Sequence, residues 1–71
     1  MADLQRLEYH LQGVRLLASV GSMERYESRR RAALGACNKL FNKVPGERAR
    51  EWILEIKRQI QEVKYSGEQT G

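Results

Sequence analysis

The sequence predicts an all-α fold, a three-helix antiparallel bundle, on three observations. Apolar residues recur at spacings of three and four through most of the chain, which places them on one face of a helix. Turn-forming pairs stand at Gly21-Ser22, Pro45-Gly46 and Ser66-Gly67 and divide the chain into three segments. No segment alternates apolar and polar residues with period two, and β-branched residues are too scattered to build a sheet.

The first segment predicts a helix over about residues 3–20. Asp3 is placed to cap it, and Leu4, Leu7, Leu11, Val14, Leu17 and Ala18 form its stripe. The second predicts a helix over about 23–43, with Ser22 as N-cap and a stripe of Met23, Tyr26, Ala33, Leu34, Cys37, Leu40, Phe41 and Val44. The third predicts a helix over about 46–65, with Pro45 near the first turn, Glu47 close behind, and Ala49, Trp52, Ile53, Ile56, Ile60 and Val63 on one face. Leu54 and Tyr65 fall away from that face. Residues 1–66 then make a single domain, with 67–71 a flexible tail and Ser66 already untethered.

With 71 residues, the chain lies near the size at which a domain buries only roughly 60% of its unfolded surface. One cysteine allows no intramolecular disulfide, and no Cys/His set has the spacing of a structural metal site. Homodimerisation remains as a staple, either completing the bundle or covering a helical hairpin plus third helix. A helix-turn-helix is a third arrangement, although the second segment is too long for an ordinary recognition helix. The first twenty residues hold Asp3, Arg6, Glu8 and Arg15, which breaks any apolar run of signal-peptide or membrane-span type. A cytoplasmic, reducing compartment is the resulting expectation.

Net charge is +4, and its location is more telling than its size. Residues 22–44 carry six basic and two acidic side chains, while the flanking segments balance. Within the second segment Arg25, Arg29, Lys39 and Lys43 project within roughly 80° of one another, with Ala32 and Ala36 between them. Such a ridge suits a phosphate backbone or an acidic protein surface; the plainer reading is a solvated helix face. No aromatic residue interleaves with the cations to stack on bases.

Two further groups are left over by the core. Tyr9, Leu16 and Val20, with Gly13 among them, gather opposite the main stripe of the first segment, so that helix is apolar on two sides and calls for cover by a partner or a second copy. The plainer alternative is the half-exposed edge of a wide core. Arg30 projects into the apolar stripe of the second segment. It must find a carboxylate, with Glu27 and Glu8 the candidates, or snorkel, or sit at an interface and fix how helices align.

Chemistry is sparse. His10 and Cys37 lie on separate segments, with no Gly-rich phosphate loop and no paired Asp set. The expectation is therefore a protein without catalytic residues, cofactor, metal or small-molecule substrate. It is a helical protein-binding module, a regulator or inhibitor docking on a larger protein partner through an apolar helix face. Nucleic-acid binding by the basic face is the alternative. A membrane surface is disfavoured, because the apolar stripe it needs is claimed by the core.

Overall fold

The computed structural model describes residues 2–67. It contains three helices, α1 (Ala2–Val20), α2 (Met23–Lys43) and α3 (Glu47–Glu62), and no strand among the described residues. Their order is up, down, up. The C-terminal end of α3 lies beside that of α1, where Arg15 donates to Gln59 Oε1 at 3.1 Å. The expected bundle is therefore the observed fold.

Local chemistry sets the boundaries. The Arg25 N–H donates to Ser22 Oγ at 3.2 Å, which caps α2 as expected, and Glu24 follows in its first turn. The α1 helix runs from Ala2, so Asp3, expected at the N-cap position, is its second residue. Gly46, not Pro45, occupies the N-cap of α3, and no side chain caps that end. Pro45 stands one residue before the cap, where its missing N–H removes no helical bond. Arg50 reinforces this corner: its Nε donates to the Val44 carbonyl at 3.2 Å while its guanidinium lies 5.7 Å from the Phe41 ring centre.

The core joins the three stripes along the bundle axis. Leu7, Leu11, Val14 and Ala18 of α1 meet Tyr26, Ala33, Cys37 and Leu40 of α2, Val44, and Ile53, Ile56 and Ile60 of α3. Burial pushes the Cys37 thiol above its ordinary value, so it packs as a small neutral hydrophobe. Trp52 plugs the edge of this core, half-buried. Met23, counted in the stripe of the second segment, is 42% exposed, because it opens α2 where the bundle ends.

The segment after α3 departs from expectation. The helix stops at Glu62, and residues 63–66 run as a strap back across the end of the bundle. Hydrogen bonds to α1, α2 and the turn between them anchor it. The Tyr26 hydroxyl donates to the Val63 carbonyl at 2.8 Å, the Tyr65 hydroxyl to the Gly21 carbonyl at 2.8 Å, and the Ser66 N–H to the Ala18 carbonyl at 2.7 Å. Tyr65 is thus half-buried, its ring 5.3 Å from that of Tyr26, and not a stray exposed aromatic. Ser66 is tethered. Gly67 approaches so closely that an added Cβ would lie 2.7 Å from the Gly21 oxygen. Of the expected flexible tail, residues 68–71 lie outside the described residues.

Candidate functional site

The outer side of α1 holds the apolar strip where the sequence places it. Tyr9, Leu16 and Val20 are 68%, 61% and 72% exposed, while Leu7, Leu11, Val14 and Ala18 fill the inner side of the same helix. Among the described residues, neither the other helices' cores nor the strap closes over the strip. Gly13 is half-buried at its edge, on the side that faces α2.

The reason for a glycine there is the approach of Arg29. A Cβ at position 13 would stand 2.8 Å from Arg29 Nε, so the missing side chain makes room for the guanidinium to lie across α1. The Arg29 guanidinium also sits 5.5 Å from the Tyr9 ring centre. Arg29 is therefore half-buried in the α1–α2 seam and does not stand on an open ridge with Arg25, Lys39 and Lys43. Helical projection treats all four alike, because it carries no information on how the neighbouring helix is rotated.

Arg29 binds two features into one. A shallow groove lined by Tyr9, Gly13, Leu16, Leu17 and Arg29 continues into one lined by Leu17, Arg25, Ser28, Arg29 and Ala32. Farther along the seam, Arg6 of α1 joins exposed Lys39 and Lys43 around a depression floored by Leu7, Ala36 and Leu40. Arg6 escapes a reading of α2 alone, since it comes from the other helix. The result is one face carrying five cations beside an apolar strip.

None of these cations is ion-paired among the described residues. The ion pairs present join Arg58 to Glu55 and, at 2.7 Å, to Glu62 on exposed α3. At about 100° per residue, Glu24 and Glu27 project away from the seam, and Glu8 projects toward α3.

His10 lies in the same seam. Its Nδ1 and the Arg29 Nε are buried without a hydrogen-bond partner among the described residues. Burial first, then the charges of Arg29 and Arg6, hold the His10 imidazole below its ordinary value near 6.5. A depressed folded-state value means that the unfolded chain binds the proton more readily, so stability rises with pH through this range. Denaturant melts are therefore expected to show stability falling as pH drops from about 7.5 toward 5. In His10→Gln the curve across that window should flatten; an unchanged slope removes His10 as its source.

Arg30 lies elsewhere. It is half-buried between α2 and the strap, in an open groove with Tyr26, Leu34, Val63 and Tyr65. Neither Glu27 nor Glu8 pairs with it. Its stem packs along the apolar stripe while its head reaches solvent, the snorkelling solution. The structure places it in a different groove from Tyr9 and Leu16.

No protein-family model, curated protein or solved structure matches the chain.

Proposed function

We propose that this chain is a non-enzymatic helical protein-binding module, a regulator or inhibitor that docks on a larger protein partner inside the cell. The observation that carries the reading is the exposed run of Tyr9, Leu16 and Val20 on a helix whose inner side is already closed by the core. Side chains on a packed helix are preorganised, so a partner loses little entropy in ordering them. Among the described residues no helix is long and apolar enough to cross a membrane.

The test compares the chain with Leu16→Glu as bait in a nuclease-treated native extract. The expected result is a stoichiometric protein retained by the chain and reduced at least about tenfold by the variant, whose helicity stays unchanged because Leu16 is exposed. Identical capture by both baits would overturn the reading. Sedimentation of the two pure proteins separates homodimerisation from docking on another protein, since a dimer built on this strip dissociates in Leu16→Glu.

A second reading, nucleic-acid binding, is favoured by the five unpaired cations of the seam. It requires binding to duplex DNA or RNA that falls steeply with salt and is lost in Arg25→Glu/Lys43→Glu. Two features weigh against it. The Tyr9 ring already carries the Arg29 guanidinium on one face, and the apolar strip has no counterpart on a phosphate backbone.

A further inference from the structure

The strip is too small to be an interface alone. Three side chains expose a few hundred Å², whereas a stable complex buries roughly 800 Å² on each partner. Any occupant must therefore extend onto a flank, and the relief of the surface shows which one. The grooves beside the strip lie on the α2 side, bounded by Leu17, Arg25, Ser28 and Arg29, and the seam continues to Arg6, Lys39 and Lys43. A partner seated there meets cations along its length, none of them ion-paired among the described residues. Burying those cations unpaired is unfavourable, so the partner must bring negative charge.

The occupant's size follows from the helix. From Arg6 to Val20 the rise of about 1.5 Å per residue gives about 21 Å, the length of a four-turn helix. A second copy of this chain is a poor match. None of its three helices carries net negative charge, and on α3 the carboxylates of Glu55 and Glu62 are already held by Arg58.

We propose that the α1–α2 face receives an acidic amphipathic helix of a partner protein. Its apolar side rests on Tyr9, Leu16 and Val20, and its carboxylates meet Arg25, Arg29, Lys39 and Lys43. Arg29 is the pivot, because Tyr9 and Gly13 fix it where the apolar and cationic halves join. This rests on the docking function proposed above and adds the chemistry of the partner.

A photo-crosslinking phenylalanine derivative at position 16 of the full chain, activated in native extract, reports what lies on the strip once the crosslinked segment is sequenced. The expected segment has net negative charge and apolar residues at helical spacing. Its synthetic peptide should bind the chain with an affinity that falls as salt rises, and at least about tenfold more weakly to Lys39→Glu/Lys43→Glu. Both lysines are exposed, so that variant keeps its fold, which circular dichroism verifies.

A neutral or basic segment, a segment of this chain itself, or a nuclease-sensitive adduct overturns the proposal. Binding lost in Leu16→Glu but indifferent to salt and to the lysine reversals also overturns it, while leaving protein docking intact. No crosslink and no captured protein overturns both.

Discussion

Ile53→Ala is expected to remove about half of the stability of this protein. Ile53 is wholly buried in α3 against the other two helices, and its truncation leaves a cavity that three short, already packed helices cannot close. Such a change costs about 2–5 kcal/mol. A chain of this length has about 4–10 kcal/mol in total, and nothing covalent reinforces it, since Cys37 is free. At about 4–8 °C per kcal/mol, the melting midpoint should fall by at least about 8 °C. Thermal circular dichroism measures it, with Leu54→Ala as the control: Leu54 is a half-exposed neighbour on the same helix and should shift the midpoint little. A midpoint for Ile53→Ala within a few degrees of the parent would mean that the helices do not close on this core.

Tyr65→Ala tests the strap and should cost about 2–3 kcal/mol. The ring pair with Tyr26 contributes about 0.5–1.5 kcal/mol beyond area burial, the hydrogen bond to the Gly21 carbonyl about 1 kcal/mol, and lost packing the remainder. Tyr65→Phe keeps the ring and loses only the hydroxyl, so it should cost about 1 kcal/mol. Chemical denaturation of the three proteins should give that order. Parent-like stability for Tyr65→Ala would show that the strap adds nothing, and that the bundle ends with α3.

The strap is the clearest case of structure hidden from the sequence. Tyr65 falls off the apolar face of α3 when the helix is continued to residue 65, and so reads as an exposed aromatic. In the structure the helix has ended at Glu62, and Tyr65 reaches Gly21, forty-four positions away. No local periodicity encodes that contact. The one cue was composition: an aromatic within a polar segment has reason to dock.

The candidate face was half legible. Tyr9, Leu16 and Val20 were visible because the leftover side of an amphipathic helix can be found by angle alone. Arg25, Lys39 and Lys43 were visible on the same ground. Projection alone puts Arg29 on an open ridge, whereas α1 passes beside it and Gly13 admits its guanidinium. Arg6 and Leu17 belong to the face without being legible as such in the sequence, because a face shared by two helices depends on their mutual rotation. Arg30 reads as a charge within an apolar stripe, and in the structure it is half-buried. Only the packing of the strap shows that it lies apart from the α1 strip, with its head in solvent.

What the sequence determined by itself is the part written in neighbours three and four residues apart: three helices, the sides they bury, the Ser22 cap, and the excess positive charge of α2. These are decided locally, by side-chain spacing and by hydrogen bonds within a turn. The tertiary structure alone decided which cations stay open, how the α1 strip and the α2 cations merge into one face, and where the last residues dock. Those outcomes depend on contacts between residues distant in the chain, and they are fixed by the way the helices rotate and pack on one another.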